Sequence, residues 1–323
     1  MPKQALQSSS NWTERKSQRG VPMKDIEPYI NDFATRSFRN TADMDYIAAR
    51  ASYRMELYPQ FLWSGLQAIE KYLKGILLYN RVPKPEKKYI GHYLGEAMAL
   101  ASQTLPFKIE LSKPSLEIIE HLDTYGRFRY LETPYHVRDH ELLKLDRAIW
   151  ELRPYCRVLN YQIDTDEKKV AMLPLLLDQI RRSREEPINR IATPGGELEK
   201  ILAKRTHPAR ANLVWKNLYF NGHKRKQVQW RSRSRSRSHA TNSPLSLNPD
   251  LLDEILKYVF LPKEVVSAYA KERDKLLKDR RRKRHDCKLH GWRGSTMSRR
   301  SRHFRAQAEM HSADACAFPV HWS

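Results

Sequence analysis

An arginine and a histidine with six residues between them, Arg129 and His136, flank a proline in "RYLETPYH", residues 129 to 136. An imidazole exchanges protons near neutral pH, and a guanidinium offers a planar fork of donors to a phosphate. The pair suits phosphate chemistry, or it marks only the corner between two helices. Thr133 is a good N-cap and Pro134 fits the first helical position, so "TPYH" has the form of a helix start. One continuous helix is disfavoured, because Pro134 would clash with the carbonyl of Tyr130. His136 is then expected in a first helical turn, beside free backbone N–H groups that bind anions and lower an imidazole's pKa. Arg129, ending the preceding helix, would close the pocket.

A second candidate is the helix face of Gln67, Glu70, Lys71 and Lys74. It is either a phosphate-binding surface carried by Lys71 and Lys74 or a solvated face with an i,i+4 pair between Glu70 and Lys74. His92, just after Gly91, is expected to cap or pack. Cys156, Cys287 and Cys316 stand too far apart for a disulfide framework, and there is no CxxC pair. Cys287 with His290, and Cys316 with His321, lack further partners at zinc spacing. No metal and no cofactor is expected.

Helices must position these groups. Met44, Ile47, Ala48, Ala51, Met55 and Tyr58 follow the spacing of one helix face, and Leu62, Leu66, Ile69, Leu73, Ile76 and Leu77 form the stripe of a second helix after Pro59. The proline-containing, basic "NRVPKPEKK" is a loop. A third helix is expected just after Gly91, a fourth over "SKPSLEIIEHLDTYGRF" burying Leu116, Ile119 and Leu122, and a fifth over roughly 136 to 160. No stretch from 43 to 160 alternates as a strand does. The expectation is therefore an all-α, antiparallel bundle of four to five helices with additional C-terminal helices and a disordered basic tail.

The domain boundaries expected are a flexible arm with one short helix over 1–42, the bundle over 43–162 and a helical extension over 163–222. The extension includes "EKKVAMLPLLLDQIRRS" as a helix interrupted at Pro174. An Arg/Ser-rich linker over 223–248, a basic helical segment over 249–284 and a disordered tail over 285–323 complete the division. Of the 323 residues, 59 are Lys or Arg and 37 Asp or Glu, a formal charge of +22. From residue 223 onward there are 24 basic and 10 acidic residues, so the last third carries +14 of it. Such a field attracts polyanions, of which nucleic acid is the commonest and an anionic membrane surface the alternative. The four Arg-Ser pairs of 231–238 and "RRRKR" at 280–284 concentrate it. No stretch approaches the length of a membrane span and the first twenty residues hold no apolar segment, so an unexported, cytoplasmic protein is expected.

"FLWSGLQAIEKYLKGILLYNRV", then "GHYLGEA" and "LDTYGRFRYLE", resemble the HEPN domain over about residues 43 to 160. Gln67, Ala68, Glu70, Lys71, Lys74, His92, Leu94, Tyr125, Arg129 and Tyr130 fall on that family's pattern. The resemblance implies a helical bundle that usually dimerises, and one of two roles. Many members look like metal-independent ribonucleases of toxin and antiviral systems, using an Arg, four to six residues, then a His; Arg129 and His136 satisfy that spacing. Others are inactive and bind nucleotide or RNA, often beside a small nucleotidyltransferase partner. Tyr130 follows Arg129 where a polar residue commonly stands in the ribonucleases, so both roles remain open.

Overall fold

The computed structural model describes residues 26–83, 92–127, 132–164, 169–185, 192–220 and 238–289. They fall into two units, residues 1–261 and 262–323. In the first, α1 (Ile26–Phe33) continues through a π-helical turn, Ala34–Asn40, into α2 (Thr41–Arg54). The chain is thus helical from Ile26, and Ala34 and Arg39 are already buried ahead of the bundle boundary expected at 43. Glu56, at φ 61°, turns the chain into α3 (Tyr58–Tyr79), with Pro59 in a first turn that needs no N–H from it. Helices α4 (Leu94–Thr104) and α5 (Lys113–Tyr125) follow, then the strand β1 (Tyr135–Arg138) and α6 (Glu141–Leu152).

Beyond the bundle, β2 (Gln162–Asp164) and β3 (Lys169–Ala171) make a small antiparallel pair. Helices α7 (Met172–Glu185), α8 (Glu197–Ala203) and α9 (Arg210–Val214) come next. The strand β4 (Ser238–Thr241), α10 (Pro244–Leu247) and α11 (Leu252–Ile255) close the first unit. Pro174 does not interrupt a helix: the residues before Met172 are strand, and the proline sits in the first turn of α7. The second unit contains α12 (Lys263–Leu289), which runs past the end expected at 284 and includes "RRRKR".

Helix α3 is the axis of the core. Leu62, Leu66, Ile69, Leu73, Ile76 and Leu77, the stripe read from the sequence, are all buried, together with Phe61 and Tyr72. The helix packs on α2, α4, α5 and α6. Each such side chain contributes about 1.5–3 kcal/mol of burial. At Gly75 the approach is as close as a glycine allows. A Cβ there would lie 2.9 Å from Cys156 Sγ and 3.3 Å from Phe38 Cβ.

The stripe expected on α2 is not the one that packs. Met44 and Met55 are exposed, and the buried face is Ala42, Asp43, Tyr46, Ile47, Ala49 and Arg50. The apolar period misleads here because α2 buries charges, and each charge has a partner from a distant segment. Arg50 pairs with Asp146 on α6 and donates to the carbonyls of Asn212, at 2.9 Å, and Trp215. Tyr46 donates to the same Asp146 oxygen at 2.7 Å and accepts from Asn217 at 2.9 Å.

Arg153, just after α6, is held more completely. Its Nε and Nη2 donate to the two oxygens of Asp43, each at 2.8 Å. Its Nη1 and Nη2 donate to Glu199 at 2.6 and 2.7 Å, and Nη1 also to Thr193 Oγ1 at 3.1 Å. All five donors of a guanidinium are used. Asp43 accepts in addition from Tyr72 and from the backbone N–H groups of Glu197 and Leu198 at 3.1 and 3.4 Å, so a side chain of α2 caps α8. Gly196 leaves the room: a Cβ there would overlap Glu199 Oε2 and Arg153 Nη2.

Replacing Arg153 with Met leaves Asp43 buried without its counter-charge, and the urea-unfolding free energy is expected to fall by about 3–5 kcal/mol. Gly196→Ala should lower it in the same direction by displacing the guanidinium. An unchanged unfolding midpoint in both variants would show that this network does not hold the first unit together.

Candidate functional site

His136 is not in a helix. Tyr135–Arg138 pairs antiparallel with Ser238–Thr241, with His136 opposite Ala240 and Arg138 opposite Ser238, and α6 begins only at Glu141. The helix-start reading of "TPYH" is corrected: a proline is equally tolerated ahead of a strand, and the partner that draws out these four residues lies a hundred positions downstream. The anion pocket expected from a helix dipole at His136 therefore falls away.

The strand supplies a different geometry. Residues opposite one another in an antiparallel pair share a face, so His136, Arg138, Ser238 and Ala240 lie on one side of the ribbon. Tyr135, Val137, His239 and Thr241 lie on the other. Val137 is buried, and the His239 ring stacks on Tyr58 with centroids 4.7 Å apart. Asp139 approaches His239 at 3.9 Å.

On the His136 side, α5 brings two rings. His121 meets His136 edge-on with centroids 5.0 Å apart, and Tyr125 lies 5.4 Å from His136 and 4.9 Å from His121. Burial, and secondarily the nearby Arg138 charge, lowers the pKa of His136. His121 is pushed down to about 4, first by burial and then by His136 and Lys144, and its Nε2 is buried without a hydrogen bond. Both imidazoles are neutral at pH 7. His140, at the entry to α6, is lowered for the same reasons, burial first, then Lys144 and Arg138. The sequence reading missed His121. Its one signal is the i,i+4 spacing to Tyr125 on a helix that leads towards Arg129.

Arg129 lies outside the described residues, as do Tyr130 and most of the Arg-Ser run. Lys71 and Lys74 are described, and each has a carboxylate: Lys71 pairs with Asp45, and Lys74 with Glu70 at 2.5 Å. Glu70 is not on a solvated face. It is buried, accepts from Gln67 at 3.2 Å and lies 2.8 Å from His92 Nδ1. The Trp63 ring packs on that histidine at 5.4 Å. The ion pairs of Lys71 and Lys74 lie on α2 and α3, at Asp45 and Glu70. Cys156 is buried and its thiol is pushed up to about 12 by burial, so it is no nucleophile. Among the described residues no group of three or more His, Cys, Asp or Glu is placed to hold a metal ion, and no helix is long and apolar enough to cross a membrane.

The sequence model of the HEPN domain family matches residues 35–151, from the π-helical turn through α6. The chain carries a HEPN domain. Its boundaries enclose the helices that frame His121, Tyr125 and His136, and they exclude β4 and the α8–α9 segment that completes the buried networks. A nucleotide- or RNA-binding or nuclease-like role goes with the HEPN domain in general terms. No curated protein and no solved structure matches the chain.

The neutral, buried His121 makes stability depend on pH. Between about 6.5 and about 4 the unfolded chain protonates this imidazole while the folded chain does not, so stability falls as the pH drops through that window. Urea unfolding of wild type is expected to lose about 1–3 kcal/mol more than His121→Gln between pH 7 and pH 4.5. Parallel pH dependences in the two proteins would count against a buried neutral His121.

Proposed function

We propose that the HEPN domain binds RNA and cleaves it without a metal, with Arg129 and His136 as the reacting pair. The observation that carries this reading is His136 itself, held half-buried against His121 and Tyr125 and kept neutral, and so able to accept a proton at physiological pH. In the proposed reaction the 2′-hydroxyl of one ribose attacks the adjacent phosphorus and His136 takes its proton. The P–O5′ bond breaks as the O2′–P bond forms, leaving a cyclic phosphate and a free 5′-hydroxyl. Arg129 balances the charge on the crowded phosphorane.

The leaving oxygen needs a proton, and His121 is a poor donor because it is neutral until about pH 4. It acts as a positioning residue, fixing the ring of His136. His136, once it has taken the proton of the 2′-hydroxyl, is the imidazolium that can pass it on to O5′. A homodimer, as the HEPN resemblance implies, belongs to the proposal without a second histidine as the acid. Lys71 and Lys74 are the secondary phosphate contacts, and they serve only where a phosphate displaces Asp45 and Glu70. A cytoplasmic place and a role in a toxin–antitoxin or antiviral system go with this reading.

The second reading is a non-catalytic RNA- or nucleotide-binding module working beside a nucleotidyltransferase-type partner protein, favoured by Tyr130 directly after Arg129. Incubation of the full chain with RNA in EDTA decides between them. The first reading expects cyclic-phosphate products, and a loss of about a hundredfold or more in His136→Ala. Binding without cleavage, or cleavage that His136→Ala leaves intact, removes the catalytic assignment and leaves the binding module.

A further inference from the structure

The described cations of the first unit are mostly committed. Arg50, Arg153, Arg147, Arg184, Lys71 and Lys144 all pair with carboxylates. Arg138 differs. It is exposed, and among the described residues no carboxylate lies within ion-pair distance of its side chain. Its neighbour Asp139 is directed to His239 on the opposite side of the ribbon. Arg138 sits two residues from His136 on the same strand face and directly opposite Ser238, which is also exposed. Its charge is felt by His136, His121, His140 and Glu141, so it stands near all four.

We propose that Arg138, Ser238 and His136, side by side on one face of the β1–β4 ribbon, form a binding site for a phosphodiester of single-stranded RNA. The guanidinium supplies paired donors to the non-bridging oxygens and the serine hydroxyl a third. Opposed side chains in an antiparallel pair stand about 4.5–5.5 Å apart at Cβ, a span that one phosphate bridges. An anion here compensates an exposed charge that has no carboxylate partner among the described residues, and it lands beside the imidazole that the proposed reaction uses. Because β4 lies outside the matched HEPN region, one of the three residues of this site, Ser238, comes from beyond that region.

The inference rests on the RNA-binding reading above, but not on cleavage. It is tested with a fluorescent 2′-O-methyl oligoribonucleotide, which has no attacking hydroxyl, titrated into the full chain at several salt concentrations. Arg138→Gln is expected to weaken binding about tenfold and to reduce the slope of log affinity against log salt by about 0.7, one phosphate's worth on a single strand. Arg138→Lys should retain the slope while losing part of the affinity, and Ser238→Ala should cost about twofold with the slope unchanged. Wild-type affinity and slope in Arg138→Gln would overturn this site and leave RNA binding standing. Failure of the wild-type chain to bind would overturn both.

Discussion

The guanidinium of Arg153 is the constraint on which the first unit depends. It is buried between Asp43 of α2 and Glu199 of α8, and a buried charge of this kind is tolerable only when its partners are complete. Completing them requires the end of α6, the start of α8, a side chain of α2 and Tyr72 of α3 to converge on one point. Burial opposes the ionised form of Arg153, yet Asp43 and Glu199 hold its pKa well above the ordinary value. Glu199 answers in kind: burial works against its charge, and the hydrogen bonds from Arg153 keep its carboxyl below the usual range.

This arrangement explains why the fold of the first unit does not end where the HEPN match ends. The Arg153–Asp43–Glu199 contact and the Arg50–Asp146 contact both sew α2 and α6 to residues 193–217. The extension supplies acceptors that the bundle cannot supply for itself. With α6 fixed by these contacts, β1 is fixed just ahead of it, and β4 returns from beyond residue 237 to pair with β1. The position of His136 against His121 and Tyr125 thus follows from a chain of contacts that begins at a buried ion pair on α2.

What the sequence disclosed follows the range of the forces involved. Helix α3 was legible because one apolar stripe faces one core, and α6 only in part, since the helix expected over 136–160 takes in most of β1. Helix α2 was misread because its packed face is Asp43, Tyr46 and Arg50, whose partners at 146, 153 and 217 leave no local period. The strand at His136 was hidden for the same reason, since four residues paired with four others a hundred positions away carry no repeat of their own. Gln67, Glu70, Lys71 and Lys74 were recognisable as one helix face. That Glu70 is buried and answered by His92 from α4's approach could not be read from spacing alone.

In the proposed function RNA phosphate is handled first on the His136 face of the ribbon, and on the Lys71–Lys74 face only secondarily. The most direct measurement follows the imidazole Cε1–H resonances of the full chain while a 2′-O-methyl oligoribonucleotide is added. The expected result is that His136 and His121 shift together at the lowest RNA concentrations, before any shift of His92 beside Glu70. Saturating RNA that moves His92 and leaves His136 and His121 untouched would contradict it.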